Sequence, residues 1–81
     1  MNPETLNLNP VWFDRFATDF EKPYFENLWN QVEDAYKNTI CFPPKRLIFE
    51  AFNQCNWEDL KVVIIGQDPY HGLGEANGLS F

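Results

Sequence analysis

The stretch that decides the predicted fold is KVVIIGQDPYH, residues 61–71. Four β-branched residues, at positions 62–65, run without interruption into Gly66. An aliphatic run of this kind, bounded by glycine and proline, is typical of a strand buried on both faces in a parallel sheet. Helical patterns precede it, and helices that cover a buried strand are the arrangement of α/β proteins. The sequence therefore predicts an α/β fold.

The polar residues after the predicted strand are candidates for a functional site. Ligands of parallel sheets bind beyond the carboxyl ends of the strands. Gly66 allows the chain to turn sharply at the end of the strand. Pro69 restricts the backbone of Asp68 to extended conformations, so the Asp68 carboxylate is held in a defined direction. A carboxylate, an amide, a phenol, an imidazole and a second aromatic ring suit a small, flat, polar ligand. These groups belong to Asp68, Gln67, Tyr70, His71 and, after a loop spaced by three glycines, Phe81.

Three helices are predicted upstream of the strand. The first starts at Asn9-Pro10 and the second at Pro23, because proline fits the first turn of a helix and apolar residues then recur at helical spacing. The third covers roughly residues 45–54, and a capped turn at 56–59 leads to the strand. We interpret the aromatic side chains of the first two helices as core packing against the sheet, rather than as a surface that stacks on bases.

The charge balance bears on the class of partner. The formal net charge is −6, from 12 acidic and 6 basic residues, which is the wrong sign for a surface that binds duplex DNA through its phosphates. The charge is uneven, with −4 in residues 1–43 and −2 in residues 44–81. A site at the strand end can therefore face nucleic acid while the acidic helices face solvent, provided that the remainder of a longer protein supplies basic residues.

Other sequence features exclude several function classes. Cys41 and Cys55 have no CxxC spacing and no signal peptide precedes them, so we expect a reduced, intracellular protein. No run reaches the ~20 apolar residues of a membrane span, and no membrane partner is expected. Gly72, Gly74 and Gly78 give GxGxxxG, which is neither a dinucleotide fingerprint nor a P-loop. One histidine without clustered ligands predicts no metal and no cofactor.

Residues 66–71 read Gly-Gln-Asp-Pro-Tyr-His, follow Lys-Val-Val-Ile-Ile and precede Gly-Leu-Ser-Phe at 78–81. In these features the chain resembles the family 1 uracil-DNA glycosylases, whose water-activating loop has the same order. Residues 41–44 are more loosely similar to the aromatic-Pro-Pro helix entry of that family, with Phe42 in place of the usual tyrosine. Leu73 stands where the family commonly has proline. Both departures affect loop scaffolding rather than reacting groups.

The resemblance implies a fold and an activity. The fold is the three-layer parallel-sheet glycosylase fold, of which residues 1–81 would be the amino-terminal part of a single domain: the helices, the first strand and the water-activating loop. The activity is that of a DNA-repair hydrolase that flips uracil out of DNA and cleaves its N-glycosidic bond with an Asp-activated water. The resemblance also implies a monomer that acts on uracil in single- or double-stranded DNA without a cofactor. We expect it in the cytoplasm, or in the nucleus or mitochondria of a eukaryote.

The resemblance also implies residue roles. Asp68 would position the water and stabilise the positively charged sugar, with support from His71. The amides around Gln67 would face the base oxygen that becomes anionic, Tyr70 would exclude the thymine methyl, and Phe81 would stack on the base. The family's base-reading asparagine and second histidine have no counterpart here, so the chain would carry half of a site and be inactive alone. The alternative is a catalytically silent fragment or interaction module of glycosylase ancestry.

Overall fold

The computed structural model describes residues 1–67 and 69–80. Its elements follow one another as helices: α1 spans Pro3–Leu6, α2 Pro10–Phe20, α3 Pro23–Asn38 and α4 Glu50–Asn53. Two 3₁₀ turns, Lys45–Leu47 and Trp57–Asp59, flank α4. In these residues every regular element is helical.

Asparagine and proline set the helix starts. The Asn2 side chain accepts a hydrogen bond from the Thr5 amide at 2.8 Å, and the Asn9 side chain accepts one from Val11 at 2.8 Å. A proline follows each asparagine at the first helical position, where its missing N–H costs nothing. The predicted starts at Pro10 and Pro23 are confirmed. The predicted helix over residues 45–54 is instead a 3₁₀ turn followed by the four-residue α4.

The core is small and aromatic. Its buried members are Leu6, Leu8, Trp12 and Trp29, and a layer of partly buried phenylalanines surrounds them. The Trp12 ring stacks on Phe16 and meets Phe52 edge-on at 5.1 Å. The aromatic residues of α2 and α3 therefore do form core, as predicted, but they pack against other helices and turns rather than against a sheet.

Side chains of two asparagines tie the amino terminus to α4. Asn53 accepts a hydrogen bond from the Asn9 amide at 2.7 Å and donates to the Asn7 carbonyl at 2.8 Å. Asn7 in turn donates to the Arg46 carbonyl at 2.6 Å. These bonds join segments about 40 residues apart in sequence, and they place the turns around α4 beside α2.

The α/β prediction is wrong for the part of the chain that the structure describes. Residues 61–66 form no strand, and no sheet occurs in residues 1–67 or 69–80. A strand is held by hydrogen bonds to a second strand, and the helices here offer no sheet edge to pair with. The four aliphatic side chains of residues 62–65 are accordingly exposed rather than buried. The three-layer parallel-sheet fold implied by the resemblance is not present in the residues that the structure describes.

The surface is large for a chain of this size. The accessible area is 6470 Å², against about 5,100 Å² for a compact monomer of the same mass. The radius of gyration is 13.4 Å, against about 12 Å for a compact domain of this length. Much of the apolar surface therefore remains in contact with water.

Candidate functional site

A cleft of about 450 Å³ lies where the polar loop after Gly66 meets the proline-rich segment after α3. Its described walls come from Phe42-Pro43, residues 69–72 and residues 76–80. They carry two aromatic rings, an imidazole, an amide and a hydroxyl group. Among these described residues none has a carboxylate, ammonium or guanidinium group. This chemistry suits a small, flat ligand with polar edges.

The structure brings together some of the residues predicted for the site. Tyr70 and His71 both line the cleft and are both exposed. Gln67 does not line it, and instead borders a narrow neighbouring cleft of about 40 Å³. Asp68 and Phe81 lie outside the described residues. The roles that the resemblance implies for these five residues remain predictions.

Three further residues contribute to the cleft walls and were not singled out from the sequence as site residues: Phe42, Asn77 and Ser80. The Asn77 side chain accepts a hydrogen bond from the Leu79 amide at 3.0 Å, which turns the backbone at Gly78. The Asn-Gly pair is an ordinary turn signal that could have indicated this bend. For Phe42 the signal was the Pro-Pro pair that follows it.

Residues 76–80, which form one wall of the cleft, pack at Gly78 against the 3₁₀ turn that precedes α4. The Gly78 φ of +86° is in the left-handed region. A Cβ at this position would overlap the Leu47 carbonyl oxygen and lie 2.8 Å from the Glu50 Cβ. Only glycine permits both the backbone conformation and the close approach. The contact therefore fixes this wall of the cleft to the helical part of the chain.

Side chains of α3 hold the opposite wall. The Tyr36 hydroxyl donates a hydrogen bond to the Pro43 carbonyl. One turn earlier, Glu33 pairs with Lys45, whose ammonium lies 5.8 Å from the centre of the Trp29 ring. These contacts hold the chain directly after Phe42, at Pro43 and at Lys45, against α3.

The surroundings of Glu33 and Tyr36 shift the pKa values of both side chains. The hydrogen bond from Lys45 holds the pKa of the Glu33 carboxyl below its usual value of 4.5. Burial raises the pKa of the Tyr36 phenol above its usual 10.0, with a smaller effect from nearby Cys41. Tyr36 therefore stays neutral and keeps its proton for the bond to Pro43.

Residues 1–67 and 69–80 contain no group of three or more histidine, cysteine, aspartate or glutamate side chains that could hold a metal ion. The helices found in the same residues are too short or too polar to span a bilayer.

Comparison with known proteins identifies the relatives of the chain. It is 50% identical over 76 residues to the uracil-DNA glycosylase of Christiangramia forsetii, across 94% of this chain and 34% of the relative. Identity to the uracil-DNA glycosylase of Amoebophilus asiaticus is 49% over 76 residues, again 94% of this chain and 34% of the relative. That of Aliarcobacter butzleri is 51% identical over 71 residues, 88% of this chain and 33% of the relative. The resemblance to uracil-DNA glycosylases is confirmed.

The chain spans about a third of the length of the curated relatives it matches. No protein-family model matches it. No solved structure matches it either.

We predict that Gly78→Ala destabilises the chain more than Gly74→Ala. Both glycines have positive φ, and nothing lies within 4 Å of a Cβ built at Gly74. Gly74→Ala should therefore cost only the backbone strain, about 1–2 kcal/mol. Gly78→Ala should cost at least about 1 kcal/mol more, because the Leu47 backbone must move. Urea unfolding of both variants measures the difference in the free energy of unfolding. Equal losses of stability would show that the close contact between Gly78 and Leu47 is unimportant.

We also predict that the Glu33–Lys45 pair makes stability depend on pH in the acid range. Because the Glu33 pKa is lower in the folded chain, its carboxylate stabilises the fold above pH 4.5, and this contribution is lost as pH falls through the lowered pKa. Glu33→Gln should therefore lower the urea midpoint at pH 7 and have a smaller effect at about pH 3, where the carboxylate is losing its charge. Asp34→Asn, one position along α3, is the control and should keep the wild-type pH dependence. A Glu33→Gln effect of equal size at both pH values would contradict the prediction.

Proposed function

We propose that this chain supplies the water-activating part of a uracil-DNA glycosylase that removes uracil from DNA. The observation that carries the proposal is the order Gly-Gln-Asp-Pro-Tyr-His at residues 66–71, in a chain about 50% identical to proteins named uracil-DNA glycosylase. The polar cleft beside this loop supports it, because its volume lies in the range of small-molecule sites.

The chemistry of uracil removal explains the proposed role of Asp68. The bond from the sugar C1′ to the base nitrogen breaks, the sugar gains positive charge, and the base leaves with the bonding electrons as an anion. Water then adds to C1′ and loses a proton. A carboxylate about 4 Å from the cationic sugar contributes ~4 kcal/mol at an effective dielectric of 20, or roughly 10³ in rate. In the proposal Asp68 supplies that charge and orients the water, and His71 supports it.

The proposal assigns base recognition to the cleft walls. Tyr70 lines the cleft and is 36% exposed. A rigid ring beside C5 of the base would admit uracil and exclude the methyl group of thymine. Phe42 forms an aromatic wall of the same cleft, and a flat base could stack on it for ~1–3 kcal/mol.

Stabilisation of the leaving base requires more donors than the amides around Gln67 that this chain would supply. A departing anion needs hydrogen-bond donors in a water-poor site. The sequence contains a single histidine, His71, which the proposal already assigns to the water side. We therefore expect the 81-residue chain to show no turnover alone, and excision to require the polypeptide that completes the site.

Asp68→Asn tests the proposed reaction. The test protein is a fusion in which this chain replaces the matched segment of the Christiangramia forsetii relative, referred to below as the fusion protein. Asp68→Asn removes the charge with little change in shape, and should lower single-turnover excision of uracil by about 10²–10⁴ while DNA binding is retained. Asp59→Asn, in the 3₁₀ turn before residue 61, is the control and should leave the rate unchanged. Excision by Asp68→Asn within tenfold of the parent would contradict the assigned role.

Tyr70→Ala tests the proposed steric filter in the same fusion protein. Removing the ring should lower uracil excision and permit measurable excision of thymine. Tyr70→Phe keeps the ring and should still exclude thymine. A folded Tyr70→Ala variant that removes uracil but leaves thymine untouched would place the filter elsewhere.

A further inference from the structure

Ser80 lies where the polar cleft meets its narrow neighbour. It lines the polar cleft together with Tyr70, and it also borders the cleft of about 40 Å³ that Gln67 lines. Pro69, in the loop before Tyr70, is a second described residue that borders both clefts. The path of the backbone through residues 78–80 therefore determines how the surroundings of Gln67 connect with those of Tyr70.

The Asn77 side chain controls the direction in which the chain runs towards Ser80. Its carboxamide oxygen accepts a hydrogen bond from the Leu79 amide at 3.0 Å, across Gly78. An asparagine that bonds the backbone two residues on forms an Asx turn, which holds the residue between them in a tight bend. The positive φ of Gly78, +86°, belongs to this bend. The hydrogen bond therefore fixes the backbone from which Ser80 reaches the two clefts.

The position of Asn77 separates its effect from the attachment of the cleft wall to the helices. Asn77 is exposed and itself lines the polar cleft. The close contact with the helical part of the chain is made by the next residue, Gly78, against the Leu47 carbonyl oxygen. Loss of the Asn77 hydrogen bond should therefore leave the wall attached at Gly78, while the backbone of residues 79–80 becomes free to change direction.

We infer that Asn77 is a positioning residue for base binding in the polar cleft. Its hydrogen bond holds Leu79 and Ser80 in the arrangement that forms one wall around a flat, polar base. A wall that is fixed before the base arrives loses less conformational entropy when the base binds. Asn77 acts on binding rather than on bond cleavage, because the wall has the same arrangement in the bound complex and in the transition state. The inference rests on the proposed function for the identity of the base, uracil.

The experiment measures two quantities in the fusion protein: the affinity for free uracil, by calorimetry, and the kcat and KM for excision of uracil from a single-stranded oligonucleotide. Asn77→Ala removes the acceptor oxygen. It should weaken uracil binding and raise KM by roughly threefold to tenfold, the factor that corresponds to one lost hydrogen bond, with kcat little changed. Asn77→Asp keeps an acceptor oxygen and should bind neutral uracil as the parent does. Asn30→Ala, exposed on α3 and outside the cleft, is the control and should change neither quantity.

Two results would overturn the inference: an Asn77→Ala variant that binds uracil as tightly as the parent, or Ala and Asp variants that are weakened equally. If melting curves show that Asn77→Ala does not fold, Asn77→Ser replaces it, because serine bonds the backbone in the same way but more weakly. Its uracil affinity should then fall below that of Asn77→Asp, and equal affinities would overturn the inference.

The two readouts also separate this inference from the proposed function. A fusion protein that binds uracil but does not excise it, with weaker binding in Asn77→Ala, would support the inference and contradict the proposed function. Normal excision by the parent together with an unchanged KM in Asn77→Ala would contradict the inference alone. A fusion protein that neither binds nor excises uracil would overturn both.

Discussion

The contacts of Trp12 are the interaction on which the rest of the structure depends. Its indole N–H donates to the Cys55 carbonyl at 2.8 Å, and its ring packs against Phe52 and Trp57. These contacts hold the chain after α4 against α2. They thereby fix where residues 61–66 leave the helical core. A small aromatic core can do this because each ring buries a large area with few rotatable bonds.

Local signals predicted the starts of α2 and α3 correctly, and tertiary contacts decided much of the rest. Proline and asparagine fix helix starts through their own backbone and side-chain chemistry, so Pro10 and Pro23 could be read from sequence. The aliphatic run at 62–65 indicates burial, but burial as a strand needs a second strand, which the described residues do not supply. The aliphatic pattern identified an apolar segment, but it could not show what packs against that segment.

The candidate site shows the same division between local and distant causes. Tyr70 and His71 were predicted from the loop order and do line the polar cleft, whereas Asp68 and Phe81 lie outside the described residues. The role of Phe42 as an opposing wall depends on contacts from α3 to Pro43 and Lys45. The close packing at Gly78 depends on Leu47, 31 positions earlier in the sequence. Spacing along the chain carries no information about such contacts.

The charge of the chain bears on how the proposed enzyme would bind DNA. Three of its six basic side chains are engaged within the molecule: Lys45 with Glu33, Lys22 with Asp19, and Arg15 over the Trp57 ring at 4.4 Å. Binding to DNA requires cations that neutralise phosphates. Under the proposed function most of these cations would come from the polypeptide that completes the site, whereas this chain would contribute an uncharged pocket and the Asp68 carboxylate. The net charge of −6 on this chain opposes binding to the phosphates that flank the target base, so under the proposed function productive DNA binding would require the polypeptide that completes the site.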